Sequence, residues 1–133
     1  MARSLYLRRA VITRLRADVP LTAIVPAARN YGMKTPATLI WPFTRYGTPD
    51  ETAAPVMCWD GSEVAFTIHS FSKDEFEDQC ANINEAVVAA LNGAVLTMAG
   101  DIKATLVWLG SQIIPDSAEA NAWHGINRFS ARI

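Results

Sequence analysis

The stretch Ser62–Phe76, "SEVAFTIHSFSKDEF", changes its periodicity halfway along, and that change sets the fold. From Ser62 to Phe71 the residues alternate: Val64, Phe66 and Ile68 point one way, Glu63, Thr67 and His69 the other, as in a half-buried strand. Ser72 and Glu75 then have the spacing of a capping box, with Phe71 and Phe76 placed as a hydrophobic staple. The helix predicted beyond them carries Phe76, Cys80, Ile83, Val87, Ala90 and Leu91 on one stripe. It ends at Asn92–Gly93, where glycine can take the left-handed conformation that closes a helix. Asp74, Asp78 and Glu85 fall on its opposite, solvated side.

Working outward, Ser4–Ala17 reads as a second amphipathic helix. Leu5, Leu7, Val11, Ile12 and Leu15 form its apolar face, Arg9 and Arg16 lie on one flank, and Pro20 follows as a stop. Ala37–Phe43 ("ATLIWPF") is predicted as a strand whose Pro42 marks an edge or an exit. Thr44–Gly61, with two glycines and two prolines, is predicted to be a long loop. Loops of that length commonly carry function, so Arg45, Tyr46, Asp50, Glu51 and Trp59 are its candidate partner contacts. Lys103–Ile114 ("KATLVWLGSQII") is apolar on both faces, so its Val107 and Leu109 need a cover from another molecule if the helices take the other side. Ala122–Ile133 pairs back after a turn at Pro115–Ala120. The order α-β-β-α-β-β predicts an α+β domain, with two helices on one face of a mainly antiparallel sheet of four to five strands.

At 133 residues the chain is expected to form one domain, residues 1–133. Its hydrophobic fraction of 50% and charged fraction of 19% exclude a disordered chain. No apolar run approaches the roughly 18 residues of a membrane span. Arginines interrupt any secretory signal core at the N-terminus. The Arg-rich, amphipathic start also has the look of a transit peptide, but it fits better as the first helix of the domain, with host cytoplasm as the place of synthesis. The cysteines, Cys58 and Cys80, are too few for a disulfide scaffold, and Cys80 is predicted to be a buried free thiol.

The net charge of −1 conceals a segregation. Residues 1–45 carry eight basic side chains against Asp18 alone, whereas residues 50–120 carry twelve acids against Lys73 and Lys103. Such flanks can pair within the fold or between copies. Arg9 and Arg16 are therefore matched with Asp74, Asp78 and Glu85, and with the apolar Val107 and Leu109, as a candidate self-assembly interface.

No nucleophile elbow, phosphate loop, dinucleotide fingerprint or zinc-protease pattern occurs, so no catalytic residue, metal ligand or cofactor is assigned. His69 and His124 could meet across a sheet as two metal ligands. A strand histidine that is exposed or hydrogen-bonded is the commoner outcome, and their strand pattern favours it.

Taken in order, "YLRRAVITRLRADVPLTAIV", "PATLIWPF", "DGSEVAFTIHSFS", "NINEAVVAALNG" and "IPDSAEANAWHGINRFSARI" resemble the tail-completion or tail-terminator proteins of long-tailed bacteriophages and gene transfer agents. The resemblance covers nearly the whole chain and is strongest at "GSEVAFTIHSFS" and "PD…WHGINRF". Its departure is the connector Thr44–Cys58, longer and richer in proline than the family pattern. The resemblance implies a non-enzymatic virion protein acting at the head–tail junction. It would form a homo-oligomeric ring, usually of six copies, on the head-proximal end of the tail tube. The ring would end tube polymerisation and meet both the tube protein and the head's connector. DNA would pass through its hole without sequence recognition, and no membrane would be involved. Two other readings stay open: a head-side connector or stopper ring, and a small nucleic-acid-binding regulator using the Arg-rich first helix.

Overall fold

The computed structural model describes residues 2–56 and 59–133, and their side chains except those of 54–60. The chain folds as α1 (Arg3–Ala17), α2 (Val19–Thr22), β1 (Asn30–Tyr31), β2 (Phe43–Tyr46), β3 (Asp50–Val56), β4 (Trp59–Lys73), α3 (Asp78–Leu91), β5 (Val95–Thr97), β6 (Lys103–Pro115) and β7 (Ala122–Arg132). It is α+β, but among the described residues it has three helices and a seven-stranded sheet where two helices and four to five strands are predicted. The strands run β1-β2-β4-β7-β6-β5, and β3 pairs with β4 beside β2. All pairings are antiparallel except β1 with β2.

The long strand β4 organises the rest, because its apolar alternation continues in the strand beside it. Val64 lies opposite Ala131, Phe66 opposite Phe129 and Ile68 opposite Asn127. These residues are buried beneath the helices, together with Leu7, Val11 and Leu15 of α1 and Ile83, Val87 and Leu91 of α3. Tyr46, Phe66 and Phe129 stack in a column across this inner face, at centroid distances of 5.2 and 5.5 Å. Burial pushes the Tyr46 hydroxyl well above its ordinary pKa, and its oxygen has no hydrogen-bond partner.

A polar cluster interrupts this core. Asn127 Nδ2 donates to Asn84 Oδ1 of α3 (3.0 Å) and to Ile68 O (3.1 Å), and Asn127 Oδ1 accepts from Ser111 Oγ (2.8 Å). Helix and sheet approach so closely here that a Cβ on Gly125 would overlap Asn84 Oδ1. Both asparagines are buried, and the Asn127 amide nitrogen gives the buried Asn84 carbonyl its partner.

Several local expectations give way to tertiary pairing. The capping box does not form, because β4 continues through Ser72 and Lys73, paired with Trp123 and Ala122. The helix starts at Asp78, with Glu77 at the N-cap making no side-chain capping bond, and Phe76 is 60% exposed and no staple. Its end is as predicted: Gly93 has φ 73°. Ala37–Trp41 is not a strand; only Phe43 of that segment enters the sheet, as the first residue of β2, after a cis Trp41–Pro42 bond. Residues 44–61 are not a long loop. They hold most of β2, all of β3 and the start of β4, so the segment is largely sheet. Cys80 is a buried free thiol whose pKa burial raises to about 11. Cys58 lies outside the described residues.

Candidate functional site

The helices cover one face of the sheet; the other carries no helix and is covered in part by residues 35–41, with the rest open. On this outer face the ladder sets Thr105, Arg132 and Glu63 in one row, and Val107, Ser130 and Ala65 in the next. Val107 and Leu109 are 52% and 59% exposed. With Glu63, Thr105, Ser130 and Arg132 they line a shallow depression of about 440 Å³. Trp108, on the other side of the strand, is 41% exposed, and its indole nitrogen donates to Ser111 Oγ (3.0 Å). Its neighbours Glu85, Val88 and Ala89 of α3 complete a second hollow of about 360 Å³. Strand β6 therefore offers apolar surface on both sides, as its sequence predicts.

Toward the other end of the outer face lies an aromatic column that no local sequence pattern assembles. Phe43 stacks on Phe71 (4.6 Å), Phe71 on His124 (4.5 Å), and His124 meets His69 at 4.9 Å. His69 Nδ1 and His124 Nε2 share a hydrogen bond of 2.7 Å, and His69 Nε2 contacts Thr67 Oγ1 at 2.9 Å. Burial, then the nearby Arg45, then His124 lower the pKa of His69 to about 4. Burial also lowers that of His124, against a raising influence from Asp116. The histidines do meet across the sheet, but as hydrogen-bonded, half-buried rings. Among the described residues no group of three His, Cys, Asp or Glu side chains comes together to hold a metal. The available signal was Phe71 and His69 on the same side of β4 as His124 on β7; it is masked by reading Phe71 as a staple. Trp41, Phe43, Arg45 and Phe71 also wall a groove of about 580 Å³ beneath residues 35–39.

The predicted contacts of the 44–61 segment separate. Tyr46 is fully buried in the inner column and is not a partner contact. Arg45 is on the outer face, with its guanidinium 6.0 Å from the Phe71 ring centre. Asp50 and Glu51 are exposed at the start of β3. The side chain of Trp59 lies outside the described residues.

The charged flanks stay apart within the subunit. Between described side chains one ion pair forms, Lys73–Glu119 at 3.1 Å, and neither partner belongs to the predicted interface. Arg9 is exposed and only rests near the Tyr6 ring (6.0 Å). Arg16 is not free for a partner in this way: its Nε and Nη2 donate to Asn30 O, where they hold the exit of α1 against β1. Arg14 likewise donates to Ala90 O near the end of α3. Asp74, Asp78 and Glu85 are exposed on or just before α3, with Asp74 and Asp78 at its far end from that contact.

With one face of the sheet under helices and, among the described residues, exposed apolar side chains and charges on separate flanks, the surface suits contact with other proteins. The family model "Tail completion protein gp17" matches residues 9–133, and the chain belongs to that family of structural tail proteins. As such it is a virion component that meets other tail and head proteins. Among solved structures it is similar to a chain from the "virion of native gene transfer agent (GTA) particle". The two are 25% identical with a TM-score of 0.86, over 98% of this chain and 96% of that one. A second solved chain shares the fold at 14% identity and a TM-score of 0.61, over 99% and 94% of the two lengths. No curated protein matches. No helix among the described residues is long and apolar enough to cross a membrane.

Proposed function

We propose that copies of this protein close into a ring, of about six, on the head-proximal end of the tail tube, where they stop tube growth and receive the head's connector. The observation that carries this reading is the unmatched charge. Arg9 on α1 and the acids Asp74, Asp78 and Glu85 around α3 lie exposed on different parts of one subunit and form no ion pair with each other. A cyclic arrangement sets one patch against a different patch of the next copy, so opposite charges on separate flanks are the complement it needs. Val107 and Leu109 add apolar area to the same contact. The ring's hole would pass DNA without reading its sequence. Family membership and the likeness to a chain from a gene transfer agent virion support the setting.

Native mass spectrometry and negative-stain images of the protein mixed with tail tubes test the reading. A closed ring at one tube end, with tubes of limited length, is the expected result. Monomers only, with tubes that grow on, would end it.

A further inference from the structure

The bend between β4 and α3 carries a side chain that the subunit leaves unused. Phe76 is 60% exposed, and Asp74, Glu75, Glu77 and Asp78 around it are exposed too. None of these acids forms an ion pair with a described side chain. The base of the bend is held firmly: Asp74 N donates to Asn121 O (2.8 Å), and Trp123 Nε1 donates to Asp74 O (3.1 Å). One aromatic ring thus stands in water on a fixed base, with negative charge on both sides.

The opposite arrangement lies on the outer face of the sheet. Val107 is opposite Ser130, midway between the Thr105–Arg132 and Gly110–Arg128 pairs, and Leu109 is the extra residue beside it. Arg128 and Arg132 are exposed, and neither is in an ion pair with a described side chain. Arg128 Nη2 lies over Gly110, next to Leu109, where a Cβ would come within 2.9 Å of it. The hollow of about 440 Å³ around Val107 and Leu109 has room for one aromatic ring. Its one lining acid, Glu63, accepts from Ser130 Oγ (2.7 Å). An exposed apolar pair is therefore bracketed by two arginines.

We propose that the Phe76 bend of one copy seats in the Val107–Leu109 hollow of the next, with its acids against Arg128 and Arg132. This contact rests on the ring reading and names what fills its apolar part. Spacing favours it. Arg128 and Arg132 stand four residues apart on a strand, about 13 Å, and Asp74 and Asp78 are separated by at most the same length of chain. Acids on both sides of Phe76 can then face arginines on both sides of Val107. Chemistry favours it as well, because a guanidinium pairs with carboxylates and also lies well on an aromatic face. The occupant is singled out by its flanks: of the other apolar side chains at least as bare as Val95, Val19 has only Asp18 beside it, and Ile40 and Val95 have apolar neighbours. The two patches cannot meet within one subunit. Glu63 lines the hollow and Lys73 precedes the bend, so about 30 Å of β4 lies between them. Joined copy to copy, two different patches propagate around a cycle.

Sedimentation of the full-length protein, alone and with tail tubes, reads the contact. Phe76→Ala should weaken self-association about ten-fold or more and leave the thermal midpoint unchanged, because the ring touches solvent. Glu75→Lys with Glu77→Lys should weaken it by about the same factor, and adding Arg128→Glu with Arg132→Glu should restore it. Rings that form equally well with Phe76→Ala would overturn this seat and leave the ring reading standing. A folded charge-swapped protein that stays dissociated would overturn the pairing with β7. Rings of Leu109→Lys that form normally but no longer hold tubes would give the hollow to the tube protein instead. Wild-type protein that never assembles, alone or on tubes, would take the ring reading and this one down together.

Discussion

The two faces of the sheet each carry a column of stacked rings, and the columns do different work. On the inner face Tyr46, Phe66 and Phe129 sit between strands and helices at 2% exposure or less. On the outer face Phe43, Phe71 and His124 stack as closely but have no helix above them, and the same face ends in the exposed Val107 and Leu109. Aromatic stacking alone therefore does not say which side of a sheet is the core. The helices decide it. The inner column joins the helices to the sheet; the outer one is itself largely buried, with Phe43 and Phe71 at 2% and 9% exposure against Trp41, and the open part of that face lies at Val107 and Leu109.

Four measurements would break or sharpen that contrast, starting with the largest effect. Phe129→Ala empties the inner column and should cost about 3–5 kcal/mol in chemical denaturation; a loss below about 1 kcal/mol would mean the inner column is not the core. Gly125→Ala forces a methyl into Asn84 and should cost about 1–3 kcal/mol, partly regained by Asn84→Ala on the same background. An unchanged cost in the double variant would show that the close approach of α3 to β7 is not what Gly125 serves.

A third test concerns the outer histidines. His69 has a folded pKa of about 4 against an ordinary 6.5, so between those values the unfolded chain takes up a proton that the folded one refuses. Stability contributed by the neutral ring is complete above pH 6.5 and is lost as pH falls toward 4. Thermal midpoints measured across that window should drop on acidification, and His69→Gln should flatten the drop. The smallest effect on folding belongs to Leu109→Lys, within about 0.5 kcal/mol of wild type, because its side chain touches solvent. In sedimentation the same variant should nevertheless lose self-association.

The inner half of this contrast was legible in the sequence. Val64, Phe66 and Ile68 alternate, the stripes of α1 and α3 have helical spacing, and Gly93 marks a helix end, because each reflects burial against a single neighbour. The exposed apolar residues of β6 were legible for a different reason: Lys103–Ile114 is apolar on both faces, and helices packed on one side leave the other uncovered. What failed were the places where long-range pairing overrules a local signal. Ser72 and Glu75 have capping spacing, but the ladder to Trp123 and Ala122 holds Ser72 and Lys73 in the strand. The 44–61 segment misled because the proline and acids that guard an edge strand are the same residues that make loops. Tyr46 went with it, since its burial depends on Phe66 across the ladder rather than on any neighbour in sequence. That His69 and His124 could meet across a sheet as hydrogen-bonded strand histidines was legible in the alternation, whereas the column they form with Phe43 and Phe71 needed the register of β4 against β7 and against β2.

One irregularity in β6 reaches further than its size suggests. Trp108 pairs with Phe129 and Gly110 with Arg128, so Leu109 is a supernumerary residue in the ladder. Excising it would leave every other cross-strand partner in place, yet would remove one greasy projection from the outside and straighten the local twist. The outer contact can thus be altered at Leu109 while the pairs on either side of it, Trp108 with Phe129 and Gly110 with Arg128, keep their register.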